Sequence, residues 1–530
     1  MTEALPQNLK LHRRHLLGTA GVAAAVAIVP EAGARQATPE STDMADTIAA
    51  LEAYVTDLME RTGVPGVGIA IVHEDEVVHL GGYGVREIGK PELIDADTVF
   101  QLASVSKGIA ATTVAAVVGD GQASWDDAVH ELYPEFELSE PWTTHAVTVR
   151  DLFSHRSGLP EHAGDLLEDL GFPLEEIIHR LRFIEPEGPF RASYFYTNFG
   201  LSAAAYGVAR SAGMSWADLA QTRFYDRLGM ASTSSRFDDY MAQENRAIPH
   251  AEVEPGVFAF VEQRQPDAQT PAGGVSSNVR DMAQYLRLLL GGGTVDGEEI
   301  VDRDALGETF IPHSPTGRVA DPATQRTGFY GLGWNVGQSP QGQPTFSHSG
   351  GFALGAATVV NFNPSNQIGI VVLTNGSPIG GAEAIAFSFM DLFEHGEILH
   401  DYATLLRPIV DEQLAYPYDR GIDFSVQPVD FTDPAPLDRY AGEYASDLWG
   451  VAGVTVNGDE LVLELGPDRT SYPMTHYSGD IFRFTPPGEN GGPPSLVTFT
   501  IGPNALANRV TIDYLDREGQ GTLLRTLNGD

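Results

Sequence analysis

The chain of 530 residues contains no cysteine, which excludes disulfides, thiol nucleophiles and cysteine-bound metals. Lysine is nearly as scarce: Lys10, Lys90 and Lys107 are the only ones. Lysine and arginine together number 32 against 72 acidic residues, a formal charge of −40. Such a surface repels nucleic acid and anionic membranes, so neither is an expected partner. Acid excess with lysine depletion instead suggests adaptation to high salt, where screening shortens the reach of self-repulsion to a few ångström. No His-Glu-x-x-His cluster occurs, so no metal centre is expected. No Gly-x-Ser-x-Gly elbow occurs either, which disfavours an α/β-hydrolase.

Long apolar runs are also missing. The run Leu16 to Val29 spans 14 residues, short of the roughly 20 a membrane-spanning helix needs. It follows His12-Arg13-Arg14-His15-Leu16-Leu17, which resembles the twin-arginine export pattern, although His12 stands where Ser or Thr is usual. Ala32-Gly33-Ala34 offers a small-residue cleavage site. Residues 1–34 are therefore expected to be a signal peptide. The mature protein would be extracellular, on the cell surface or periplasmic, with no insertion in the membrane.

What the chain does contain is Ser104-Val105-Ser106-Lys107, followed by a nearly all-apolar run from Ile109 to Val118. On a helix the Ser104 and Lys107 side chains share one face, with Cβ atoms roughly 5–6 Å apart. Serine needs a neighbouring base to become a nucleophile, and lysine is one only when burial lowers its pKa. A helix apolar on all sides supplies that burial. A chain that otherwise uses arginine keeps lysine where a deprotonatable amine is required.

Around this pair the periodicity predicts a helix over Ala45 to Arg61 and strands over Val67 to Val72 and Val77 to Gly82, the first apolar enough to be buried on both faces. This order delivers Ser104 to a helix N-terminus, where free N–H groups favour developing negative charge. Residues 163–235 read as mostly helical. They are interrupted by an aromatic stretch in which Tyr196-Thr197-Asn198 presents a phenol and an amide on a turn. Such an aromatic cluster is more often core than catalytic, although this phenol and amide could pass a proton and hydrogen-bond a peptide-like substrate. An amphipathic helix is expected over Val279 to Leu290, then strands over Gly333 to Val336, Thr345 to His348, Ala356 to Asn361 and Ile368 to Asn375. His348-Ser349-Gly350-Gly351 ends one of these, and glycine there permits a ligand close to the backbone.

In this order, Ser104-x-x-Lys107, Tyr196-x-Asn198 and His348-Ser349-Gly350 resemble the penicillin-recognising serine hydrolases, specifically the class C β-lactamase-like group. That group includes β-lactamases, D-alanyl-D-alanine carboxypeptidases, D-aminopeptidases and esterases. The likeness covers about residues 45–400 and takes in Ser154-His155-Arg156-Ser157-Gly158-Leu159-Pro160 and Ala272-Gly273-Gly274-Val275-Ser276-Ser277. It implies an α+β fold: a β-lactamase-like sandwich of an antiparallel sheet with helices on both faces, plus an all-helical subdomain. It also implies Ser104 as the acylated nucleophile, with Lys107 and Tyr196 sharing the base and acid roles. Asn198, His348, Ser349 and Gly350 would bind substrate, and the N–H groups of Ser104 and Gly351 would form the oxyanion hole. No cofactor is implied, the substrate is a small molecule or peptide, and assembly into a homo-oligomer is left open. His348 departs from the Lys-Thr-Gly usual in β-lactamases and carboxypeptidases. A mostly neutral histidine there weakens recognition of a substrate carboxylate and resembles the D-aminopeptidase branch. A peptidase, amidase or esterase is therefore favoured over a β-lactamase or carboxypeptidase, with an inactive binding protein as the third reading.

The hydrolase domain is expected over residues 35–406. Residues 407–436 read as a linker, with Pro408, Pro417, Pro428, Pro434 and Pro436 and little periodicity. Residues 437–530 then carry up to eight short strand candidates, with Asn457-Gly458 a strong hairpin signal between two of them. A small antiparallel β-barrel is expected, similar to the lipocalin-like domain appended to some members of the group. Its Gly/Pro-rich loop, Pro486 to Pro494, reads as a wall of the catalytic cleft, a contact with another subunit or a surface loop.

Overall fold

The computed structural model describes residues 43–317, 326–339 and 341–526; the expected signal peptide lies outside the described residues. The centre is one antiparallel sheet of eight strands. They are β1 (Gly66–His73), β2 (Glu76–Gly84), β3 (Ser314–Pro315), β4 (Phe329–Tyr330), β5 (Asn335–Gln338), β6 (Pro344–Phe352), β7 (Ala356–Asn363) and β8 (Ile368–Thr374), in spatial order β2-β1-β8-β7-β6-β5-β4-β3.

β1 is apolar on both faces, as the sequence indicates, and so is β8, because helices cover both. Val67, Ile69 and Ile71 join Ile370 and Val372 under α1 (Met44–Thr62) and a helix near the end of the domain, Gly381–His395. The alternate residues Ala70, Val72, Val371 and Leu373 face the opposite layer, which includes Leu286 of the Val279–Leu290 helix. Strand side chains alternate by two, so one such strand feeds two cores.

Between β2 and β3 the chain builds the helical subdomain. Its centre is α2 (Ser106–Gly119), buried on all sides except at its C-terminal end, and α3 (Asn198–Ser211), also almost entirely buried. The expected sandwich with a helical subdomain is what the structure shows. The predicted Val279–Leu290 helix is found with those bounds, capped by the Asn278 side chain accepting from Asp281 N. One strand is displaced: Gly333 and Trp334 precede β5, since Gly333 turns with φ +79 against the Lys107 carbonyl.

The stretch read as a linker is not irregular at its start. A helix, Tyr402–Gln413, runs through Arg407 and Pro408. Tyr402, Leu406 and Val410 fall at successive i,i+4 positions and bury against the Gly381–His395 layer. That packing outweighs the roughly 3 kcal/mol an interior proline costs.

The C-terminal part is a closed antiparallel barrel of eight strands: Gly442–Ser446, Gly450–Asn457, Glu460–Leu465, Thr470–Ser478, Ile481–Phe484, Ser495–Ile501, Ala507–Ile512 and Thr522–Arg525. Leu461, Leu463 and Leu465 point inward in strict alternation, and the Tyr440, Phe482 and Phe499 rings pack together inside. The Asn457-Gly458 hairpin forms where expected, with Gly458 at φ +63. The barrel leans on the helical subdomain: Arg180 donates to the carbonyls of Asp447 at 2.7 Å and Leu448 at 2.8 Å.

Candidate active site

Ser104 sits in a single 3₁₀ turn, Ala103–Val105, that runs straight into α2. Ala103 is held at φ +47, a conformation that costs a non-glycine residue on the order of 1 kcal/mol or more. Three bonds hold the turn from outside. Leu102 N donates to Val275 O at 2.8 Å, Thr358 Oγ1 to Leu102 O at 2.7 Å, and Val275 N to Ser106 Oγ at 3.0 Å. The strain therefore rests on a rigid frame.

Lys107, one turn on, is fully buried. Its Nζ lies 3.1 Å from Ser104 Oγ, 2.7 Å from Asn198 Oδ1 and 2.8 Å from Ala272 O, and 4.6 Å above the Tyr196 ring. Burial pushes the amine well below the usual lysine range, the Asp165 carboxylate pulls the other way, and Arg264 adds to the lowering. Such an amine can be neutral near pH 7 and able to take a proton.

Tyr196 and Asn198 come from the residues leading into and starting α3. Tyr196 lies 2 % exposed, with its ring 4.6 Å from that of His155 and 5.8 Å from that of His162. His155 Nδ1 accepts from Thr197 N at 3.2 Å, and burial, with Lys107 nearby, keeps the ring neutral. This buttress comes from the Ser154 to Pro160 turn, whose part in the family pattern is legible in sequence while its contact is not.

The glycine-edged strand closes the site. β5 pairs with β6 only as far as Ser347, so the edge from His348 onward is left facing the Ser104 turn. Gly350 is close enough that a Cβ there would lie 2.8 Å from Ser104 N and 2.4 Å from Leu102 O. Ser349, Gly350 and Gly351 line a cavity of about 820 Å³ together with Ser104, Tyr196 and Asn198. His348 is not among the lining residues: it is 4 % exposed, with Nδ1 donating to Ser349 O at 2.6 Å and Nε2 accepting from Tyr330 Oη at 2.8 Å. Burial first, and Lys107 second, lower its pKa to about 3.

The cavity carries residues the motifs do not point to. Among the described residues eight carboxylates line it (Glu161, Asp165, Glu185, Glu187, Glu383, Glu412, Glu489 and Glu518) against two guanidinium groups, Arg264 and Arg517. Arg264 is itself paired to Glu168 at 2.7 Å and Glu489 at 3.3 Å. Glu489 comes from the barrel loop, which forms a wall of the cleft. Its carboxylate accepts from Ala353 N and Leu354 N, while the backbone N–H groups of Glu489 and Asn490 donate to Asp169 at 3.0 and 2.9 Å. Nothing local in sequence ties residues 489 and 169, so only the tertiary fold discloses this wall. Among the described residues no group of three or more His, Asp or Glu is placed to hold a metal ion.

A hydroxyl facing a buried amine, beside a glycine edge and a buried phenol, is the arrangement of an acyl-transferring serine hydrolase. The Beta-lactamase family pattern matches residues 51–392, and the chain belongs to that family. Residues 426–525 match a domain of unknown function, DUF3471. The chain is similar to an unguisins hydrolase of Aspergillus violaceofuscus, 24% identical over 468 residues that cover 82% of each chain. It is also similar to penicillin-binding protein 4* of Bacillus subtilis, 22% identical over 412 residues, covering 74% of this chain and 81% of that one. The octameric penicillin-binding protein homologue from Pyrococcus abyssi shares the fold, with a TM-score of 0.58 and 20% identity over 90% of this chain and all of its own.

Proposed function

We propose that the protein is an exported serine hydrolase that opens amide or ester bonds through an acyl–Ser104 intermediate, as a D-aminopeptidase-like amidase or an esterase. The observation that carries this is the buried Lys107 amine, 3.1 Å from Ser104 Oγ. In the proposed cycle Lys107 takes the Ser104 proton as Oγ attacks the substrate carbonyl. The N–H groups of Ser104 and Gly351 receive the oxyanion, where one donor is worth about 10²–10³ in rate. The Tyr196 phenol, exchanging protons with Lys107, protonates the leaving group; water then enters, loses a proton to the same pair and releases the acid from Ser104. Asn198, Ser349 and Gly350 hold the substrate amide, and His348 acts through the strand it fixes.

The acid-rich cavity and the neutral His348 favour neutral or amine-bearing substrates over carboxylates. That ranks a β-lactamase or D-alanyl-D-alanine carboxypeptidase second, supported by the penicillin-binding relatives. Labelling by a fluorophosphonate, located on Ser104 by mass spectrometry, tests the acyl-enzyme. A panel of D-aminoacyl anilides, short-chain esters and a chromogenic cephalosporin in molar salt ranks the substrates. Absence of a Ser104 adduct would leave an inactive binding protein; turnover of the cephalosporin alone would favour the second reading.

The acid excess supports a protein suited to high salt, for which the thermal midpoint rises from dilute buffer to molar KCl. Among the described residues no helix is long and apolar enough to cross a membrane. Export through residues 1–34 is tested by Arg13→Lys with Arg14→Lys, which should retain the protein in the cell. The octameric state named for the Pyrococcus homologue supports a homo-oligomer, to be read by light scattering.

A further inference from the structure

Asp165 stands behind the machinery. It is 4 % exposed, and its Oδ2 accepts from Asn198 Nδ2 at 2.8 Å and from His162 Nδ1 at 2.8 Å. Oδ1 has no partner among the described residues, so the carboxylate's hydrogen bonding goes to these two donors. The same turn is tied to the main chain at Tyr196, since His162 N donates to the Tyr196 carbonyl oxygen at 2.8 Å.

An ionised carboxylate can only accept, which leaves the Asn198 amide one orientation. Its nitrogen faces Asp165 and its oxygen faces Lys107 Nζ, 2.7 Å away. Ala272 O, 2.8 Å from the same amine, likewise only accepts. A neutral amine has two N–H bonds and one lone pair. With both N–H bonds drawn to those oxygens, the lone pair is left toward Ser104 Oγ.

We propose that Asp165 is the positioning residue of the lysine base: it locks the Asn198 amide so that the Lys107 lone pair faces Ser104. This rests on the acyl-serine reading above. Were the amide turned over, its NH₂ would donate to the amine lone pair and the serine would keep its proton. The Asp165 charge has a second effect, because it opposes the burial that keeps the amine neutral. Position and charge thus come from one side chain.

The test is Asp165→Asn in the full chain, read by the rate of Ser104 labelling with a fluorophosphonate and by kcat/KM on p-nitrophenyl butyrate across pH. Asparagine can present either end of its amide, so Asn198 is no longer locked. The plateau should fall about 10–100-fold. With the neighbouring negative charge gone, the acidic limb should move to lower pH by about one unit. A loss of packing alone would lower the plateau and leave the limb in place. In Asp165→Asn with Asn198→Asp, an acceptor again faces Lys107; at least about tenfold of the lost rate should return. The carboxylate now touches the amine, so the limb should lie above that of the wild type. An Asp165→Asn enzyme with wild-type plateau and limb overturns the proposal, as does an unmoved limb with no recovery in the double variant. If the single variant does not fold, the double variant decides alone: a limb at the wild-type position overturns the proposal. Wild-type labelling at Ser104 keeps the acyl-serine reading standing whatever the variants do. Its absence ends both.

Discussion

The Tyr330 hydroxyl donates to His348 Nε2 across 2.8 Å, while the other ring nitrogen of the same imidazole ties the strand through Ser349 O. Both ring nitrogens are taken, and burial holds the ring neutral, with its pKa lowered to about 3. What a ligand meets here is therefore the backbone edge of Ser349 and Gly350. No charge from this histidine reaches the cavity at neutral pH.

Replacing it with lysine should then change selectivity more than chemistry. His348→Lys places an ammonium beside Lys107, and like charges lower an amine pKa, so the base stays neutral. Fluorophosphonate labelling should persist within about tenfold, while kcat/KM for an ester bearing a carboxylate rises about tenfold relative to its neutral analogue. Loss of labelling would show that His348 belongs to the acylation step.

Lys107→Met keeps the length of the side chain and removes the amine. Labelling of Ser104 at neutral pH should fall by about 10²–10⁴, the usual worth of a positioned base. Stability moves less. Asn198 Oδ1 and Ala272 O lose a donor, at about 1–3 kcal/mol each, and this is set against an amine that no longer has to be buried. A melting curve beside the labelling rate separates the two; equal labelling would remove Lys107 from the mechanism.

Much of this site is legible in the sequence. The Ser104–Lys107 pair stands out because an activated serine needs a nearby amine and lysine is scarce, whereas Tyr196 and Asn198 are singled out only by their place in the family pattern. The two-faced apolar β1 and the amphipathic Val279–Leu290 helix follow from periodicity alone. Asp165 gives no such signal: its meaning lies in a hydrogen bond to a residue 33 positions on. The helix through Pro408 is hidden because proline is a strong local sign and the packing of Tyr402, Leu406 and Val410 is a tertiary one. Glu489 lies in a Gly/Pro-rich loop whose composition is the same whether or not it reaches the cleft.

Gly350→Ala tests how closely β6 approaches Ser104. The added Cβ would lie 2.4 Å from Leu102 O, 2.5 Å from Thr358 Oγ1 and 2.8 Å from Ser104 N. Two of these are backbone atoms that cannot rotate away, so the strand must move off Ser104. Acylation should fall about 10²–10³-fold as the proposed oxyanion donors, Ser104 N and Gly351 N, separate. A fold intact by circular dichroism with wild-type labelling would mean that the strand is not held against the serine.

Glu168 makes stability depend on pH in a direction that can be fixed in advance. It pairs with Arg264 at 2.7 Å, and Arg264 also serves Glu489 at 3.3 Å, with Asp169 and Asp165 nearby, so one guanidinium faces four carboxylates. Burial above all, with Asp165 and Asp169 adding to it against Arg264, pushes Glu168 from 4.5 up to about 7. Between those values the folded chain holds a proton that the unfolded chain has released. Stability from this group is full below about 4.5 and is lost as pH rises through about 7, roughly 3 kcal/mol in all. Glu168→Gln keeps an acceptor for Gln269 and does not titrate. It should flatten the fall in urea midpoint between pH 5 and pH 8 and leave the variant the more stable of the two at the higher pH. An unchanged slope would mean that the network holding the barrel loop in the cleft is balanced by some other proton.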